Sequence, residues 1–147
     1  MDFVALANNH ALDYGYDALD EMLDILEREG IFYAGAGQDI DAAMQPRFLT
    51  HDDLRIAFVA FTDNEPVWEA AADRAGIFYA PIDLADQRAR NLLDIVTQTK
   101  DQADLVVVSA HWGPNWGRRP RRNHVPFAHA LVDHGADIIF GHSCHVF

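Results

Sequence analysis

Ala136-Asp137-Ile138-Ile139-Phe140-Gly141-His142-Ser143-Cys144-His145 is the stretch on which the fold reading turns. An apolar run ends at a glycine, and two histidines follow, three positions apart. A buried strand ending in glycine is expected at the carboxyl edge of a sheet, where open α/β sheets place their ligands. Gly141 has no Cβ to clash, which predicts a sharp backbone turn at that point. The two imidazoles would then sit on a loop held by a rigid strand, a setting suited to metal ligation.

Working outward, the same arrangement occurs twice more. The apolar runs ending at Leu6 and Ala110 are also followed by histidine, as Asn9-His10 and as His111-Trp112-Gly113. If the strands run parallel, their carboxyl ends share one edge, and His10, His111, His142 and His145 can converge there. Neutral imidazole nitrogens and the Asn9 amide oxygen are donors for divalent metal ions. A bound metal lowers the pKa of its water and polarises a phosphoryl or carbonyl oxygen, so hydrolysis at neutral pH becomes feasible. A single strand-end histidine is more often a solvated loop residue than a ligand. It is the repetition at three junctions that favours a metal. His51, His129 and His134 have no such setting and read as surface residues, and Cys144 reads as a small buried thiol rather than a soft ligand.

Size and composition agree with one domain. The 147 residues are 50% hydrophobic and 23% charged, as in a globular chain able to bury a core. No apolar run approaches the roughly 20 residues of a membrane helix. Met1-Asp2-Phe3-Val4-Ala5-Leu6 does not read as a signal peptide, and the lone cysteine excludes an internal disulfide. A net charge of −12 argues against non-specific nucleic-acid binding, which relies on Lys and Arg at phosphates.

One basic patch interrupts that charge. Arg118, Arg119, Arg121 and Arg122 are four of the eleven Lys and Arg residues. Most charge runs are simply solvated. The alternative is that these arginines flank the site and hold an anionic substrate, since guanidinium forks pair bidentately with carboxylate or phosphate. Trp112 and Trp116 could line the same cleft or merely pack the loop down.

The rest of the chain alternates strands and helices. A strand over Asp2 to Leu6 leads to a helix from about Asp17 to Glu29, with Leu19, Met22, Leu23 and Leu26 on one face and Gly30 as its stop. Ile31 to Ala34 is a second strand, and Gly35-Ala36-Gly37 a turn. A short helical piece before Pro46 precedes a hairpin of Phe48–Thr50 and Arg55–Phe61 about Asp52-Asp53. Thr62 to Ala75 reads as irregular, and Gly76 to Ala80 as a further strand. A long helix from Asp83 or Leu84 to Lys100 carries Leu84, Arg88, Leu92, Ile95, Val96 and Thr99 along one side. Asp104 to Ala110 is the clearest buried strand, and a helix over Val125–His134 precedes the final one. The alternation predicts a mainly parallel sheet with covering helices and an antiparallel element.

These motifs carry a resemblance. Asn8-Asn9-His10-Ala11-Leu12-Asp13-Tyr14-Gly15, His111-Trp112-Gly113 and Gly141-His142-Ser143-Cys144-His145 occur in an order that resembles the CapA family of poly-γ-glutamate (capsule) synthesis proteins, within the calcineurin-like metallophosphoesterase superfamily. The likeness covers nearly the whole chain. It implies a calcineurin-like α/β sandwich and a dinuclear centre of divalent ions such as Mn, Zn or Fe. Asn9, His111, His142 and His145 would be metal ligands. His10 would protonate a leaving group or steady an oxyanion, with Asp13 orienting it. If the four arginines and Trp112 do flank the site, the anionic substrate they face would be a phosphoester or a polyglutamate chain. Other capsule-synthesis membrane proteins are the implied partners, and the cell envelope the implied setting.

The resemblance is incomplete. The superfamily draws aspartates, one of which bridges the metals, from strands before the Asn-His loop, and this chain starts at that loop's own strand. Residues 1–147 are therefore expected to form a single partial domain, truncated at its N-terminal side and also at its C-terminal side. Such a piece should hold half a metal site, lack activity by itself and leave an apolar face or sheet edge exposed. Pro114-Asn115-Trp116 stands where many family members carry an acidic residue. A plain phosphoesterase and a non-catalytic polymer-binding or assembly subunit are the competing functions.

Overall fold

Strand β1 (Phe3–Ala5) is joined to β2 (Phe32–Ala34) by helix α1 (Tyr16–Arg28). The helix forms where its leucines repeat at helical spacing, and Leu19 and Leu23 are fully buried beneath it. Asp17 in its first turn and Arg28 in its last suit the helix dipole. The two strands pair in parallel, Phe3 opposite Phe32, so the crossover must pass over them through the helix. The computed structural model describes residues 1–117 and 119–145.

Gly35-Ala36-Gly37 is not only a turn. Its Ala36–Gly37 segment is a short strand, β3, which later pairs antiparallel with β6 (Gly76–Ile77). Helix α2 (Ile40–Met44) is capped by Asp39, whose carboxylate accepts from Ala42 N at 2.8 Å. The hairpin follows as β4 (Arg47–His51) and β5 (Leu54–Thr62). Helix α3 (Gln87–Lys100) starts later than its apolar spacing suggests, because Asp86 caps it by accepting from Arg88 N at 2.8 Å. Leu84 therefore lies outside the helix and is exposed. Strand β7 (Leu105–His111), helix α4 (His124–Asp133) and strand β8 (Ile138–His142) complete the chain. Among the described residues no helix is long and apolar enough to cross a membrane.

The main sheet has the order β4-β5-β7-β8, with β5, β7 and β8 parallel and β4 antiparallel at one edge. This is a mixed α/β fold. One face is packed by α3 and α4, where Leu92, Val96, Phe127 and Leu131 meet Val59, Phe61, Val106 and Val108 with almost no exposure. The other face carries the β1–β2 unit: Phe3 stacks on Phe58 at 4.2 Å, and Ala7, Ala34 and Ala60 form a tight small-residue contact. That cover ends before β8, where Ile138 (46%) and Phe140 (63%) are exposed.

Two local expectations are corrected. Strand β8 does not turn at Gly141 but continues through it, with Gly141 opposite Ala110 and His142 opposite His111. The glycine is needed for close approach instead, because a Cβ there would lie 2.9 Å from Trp112 Nε1. Cys144 is exposed rather than buried, since it follows the end of the edge strand.

Candidate functional site

In a parallel pair the register decides which strand ends meet, and β7 and β8 end together. His111 and His142 are therefore direct neighbours, Nδ1 to Nδ1 at 3.0 Å. His142 Nε2 lies 2.9 Å from the hydroxyl of Ser109. His10 follows β1 of the separate two-stranded sheet and His145 follows β8, and both lie near enough to influence the His111 ring. Burial, followed by those neighbouring imidazoles, pushes His111 down to about 4, and burial lowers His142 as well. Burial thus disfavours the charged form of both rings. His111 Nε2 is buried with no hydrogen-bond partner among the described residues.

The other histidine loops hold their own geometry. His10 is exposed, and its Nδ1 lies 2.7 Å from Asp13 Oδ2. Its backbone N–H donates to Asn8 Oδ1, which shapes the loop carrying the half-buried Asn9. His145 N donates to Asn115 O at 2.7 Å, and its ring meets the edge of Trp116. His51 and His129 are exposed, while His134 donates from Nδ1 to Ala130 O.

Residues that sequence reasoning passed over hold the His111 loop in place. Thr62-Asp63-Asn64, read as the start of an irregular segment, clasps it from strand β5. The Thr62 hydroxyl donates to His111 O at 2.8 Å, and Asp63 N and Asn64 Nδ2 donate to the same oxygen. Asp63 Oδ1 in turn accepts from Gly113 N at 2.9 Å. Gly113 has φ of 80°, a conformation that favours glycine. Burial raises the Asp63 carboxyl, against the pull of the Gly113 hydrogen bond, His124 and Arg121. His124 is also buried, 3.9 Å from Asp63 Oδ2 and edge-on to Trp112. Asp63 had a usable signal, a polar residue directly after an apolar strand. His124, the first residue of α4, had none.

A cavity of about 510 Å³ opens beside the histidines, lined by Trp112, Arg119, Arg121, His124, Gly141 and His142 among others. Two of the four arginines thus share a wall with His142. Arg122 is exposed and outside that lining, and Arg118 lies outside the described residues. Trp112 is half-buried at the cavity, whereas Trp116 is 69% exposed.

Imidazole nitrogens are the donors this edge offers a divalent ion, and His111 Nε2 and His124 Nε2 are buried with no hydrogen-bond partner among the described residues. The enclosure is partial. Among the described residues no three His, Cys, Asp or Glu side chains close on one point to hold an ion by themselves.

Fold and site together define an α/β protein with a histidine cluster at the carboxyl edge of a parallel sheet, next to an arginine-lined cavity. The chain belongs to the bacterial capsule synthesis protein family PGA_cap, whose model it matches over residues 1–147. It is 38% identical to a probable polyglutamine synthesis accessory protein of Mycobacterium tuberculosis, over 96% of this chain and 38% of that protein. It is 31% identical to the PGA biosynthesis protein CapA of Bacillus subtilis, over 99% of this chain and 38% of the relative. With the capsule biosynthesis protein CapA of Bacillus anthracis the identity is 32%, over 96% and 34% respectively. The chain therefore spans a little over a third of the length of these relatives.

Proposed function

We propose that this chain carries part of the working site of a poly-γ-glutamate capsule biosynthesis or export protein, built on a calcineurin-like metallophosphoesterase sandwich. The observation that carries this reading is the contact of His111 with His142 at a shared strand edge, beside a cavity that also holds Arg119 and Arg121. His111, His142 and His145 would hold divalent metal with the Asn9 amide oxygen. When bound, such an ion supplies an activated water and a polarised phosphoryl oxygen.

The chain's own residues divide the remaining work. His10, exposed to solvent with its Nδ1 2.7 Å from Asp13 Oδ2, would hand a proton to a leaving oxygen. Arg119 and Arg121 offer paired donors to carboxylates or phosphates of the ligand. Trp112 supplies an apolar wall that keeps water from that side of the cavity. The Thr62-Asp63-Asn64 clasp keeps His111 and Trp112 in register with these groups.

A second reading is favoured by one observation, the absence of a three-residue ligand cluster among the described residues. In that reading the fold serves as a polymer-binding or assembly subunit without chemistry. Metal content after purification with Mn²⁺ or Zn²⁺, together with hydrolysis of a generic phosphodiester, separates the two. Retained metal and turnover that falls in His10→Ala support the catalytic reading. Binding of a γ-linked glutamate oligomer without metal or turnover, weakened in Arg119→Ala/Arg121→Ala, supports the other.

A further inference from the structure

Strand β4 is the edge of the main sheet opposite to the histidine-bearing β8. In that sheet only β5 pairs with it, so alternate residues of Arg47–His51 turn their backbone N–H and C=O groups away from the ladder. A cavity of about 430 Å³ lies against this edge, lined by Phe32 of β2, by Pro46, Arg47 and Phe48, and by Ile95 and Gln98 of α3 among others. Phe32 belongs to the layer on one face of the sheet and Ile95 to the layer on the other. One cavity touches both layers only where the sheet between them has ended. The space is therefore a slot along the free edge of β4. An unpaired edge is a template for another strand, and a slot with two walls fits one.

Adjacent residues of a strand face opposite ways. Phe48, like Ile95, packs against the core on the α3 side and is only partly buried there. Arg47 turns to the β2 side, where its guanidinium lies 5.1 Å over the Tyr33 ring and its Nε donates to Tyr33 O at 3.0 Å. A charged side chain on an edge strand ordinarily deters pairing. This one is drawn aside onto Tyr33, which clears the edge. Arg28, Arg88 and Lys100 each have a carboxylate partner, whereas Arg47 has none among the described residues. Its terminal nitrogens can offer paired donors to a carboxylate that enters the slot.

We propose that the β4 edge receives an extended peptide segment of a partner protein, added as a further strand, with a carboxylate against Arg47 and apolar side chains against Phe48 and Ile95. A second copy of β4 does not meet the requirement. Its sequence, Arg47-Phe48-Leu49-Thr50-His51, has no acid, and the walls around one recessed edge keep it from another edge recessed in the same way. A γ-linked glutamate polymer does not meet it either, because extra backbone carbons between its amides put them out of step with the edge groups of an α-peptide strand.

Two short peptides test this, one alternating valine with glutamate and one alternating valine with lysine. Each is added to the wild-type chain while amide hydrogen exchange is followed residue by residue, and affinity is measured by fluorescence anisotropy. The glutamate peptide should slow exchange of the outward amides of β4, and the lysine peptide should not. Arg47→Ala should weaken binding of the glutamate peptide by about tenfold. Unprotected β4 amides with the glutamate peptide overturn the proposal, and so does equal protection by the lysine peptide. Protection that rises with protein concentration in the absence of peptide gives the edge to a second copy, and equal protection by a γ-linked glutamate oligomer gives it to the polymer; either overturns the peptide assignment. The wild-type comparisons decide the matter even if Arg47→Ala does not fold.

Discussion

Asp63 and Gly113, 50 positions apart, are joined by a hydrogen bond of 2.9 Å from the glycine N–H to the aspartate carboxylate. The bond ties the end of β5 to the loop that leaves β7, and the loop is the one carrying His111 and Trp112. Removing the carboxylate strands the Gly113 N–H in a half-enclosed setting. Asp63→Ala is expected to cost about 1–3 kcal/mol in urea unfolding. Asp63→Asn, which keeps an acceptor, should cost less. Equal losses in the two variants would mean that the bond does not hold the loop.

Gly141 lets the Trp112 indole lie across β8. A methyl group at this position would stand 2.9 Å from Nε1, so the ring must move. Gly141→Ala should therefore lower stability by about 1–3 kcal/mol and alter the tryptophan fluorescence. Trp112→Phe in the same background should recover part of the loss. No spectral change would show that the indole does not rest against the strand.

Metal-free protein should lose stability as the pH falls from neutral. The His111 imidazole has a folded value of about 4, below its ordinary value of roughly 6.5, so the unfolded chain binds the proton first. Its contribution is complete above about 6.5 and declines as the pH drops toward 4. Urea midpoints measured across that interval should flatten in His111→Asn. An unchanged slope in the variant would place the acid sensitivity elsewhere.

Asp137 offers a cleaner contrast between charge and hydrogen bonding. Its carboxylate accepts from Lys100 Nζ and from the N–H of the buried Val106, each at 2.8 Å, and both lower its pKa. The stabilisation is present above roughly pH 4 and disappears as the pH falls further. Lys100→Ala removes a partly exposed ion pair and should cost under about 1 kcal/mol. Asp137→Ala also orphans the Val106 N–H and should cost about 1–3 kcal/mol. Comparable losses in the two variants would show that the salt bridge, not the backbone bond, matters.

The legibility of the fold differed from element to element. Leu19, Met22, Leu23 and Leu26 announce α1 by spacing alone, and the valines of β7 announce a buried strand, because burial of one face imposes a period. Gly141 reads as a turn in sequence because a glycine reports that backbone space is short without saying what fills it. Here the occupant is Trp112, which approaches from another strand end. Leu84 looked helical until Asp86 is seen capping the helix after it, since a cap outranks a single apolar match.

By itself the sequence determined the alternation of strands and helices, the three histidine-bearing junctions and the family to which the chain belongs, because these depend on residues near one another in order. Only the tertiary structure decided that His111 faces His142, that Ser109 lies behind them, and that Thr62, Asp63 and Asn64 hold the loop. Those relations depend on strand register across 31 to 50 positions, and register is set by which apolar faces must be buried together.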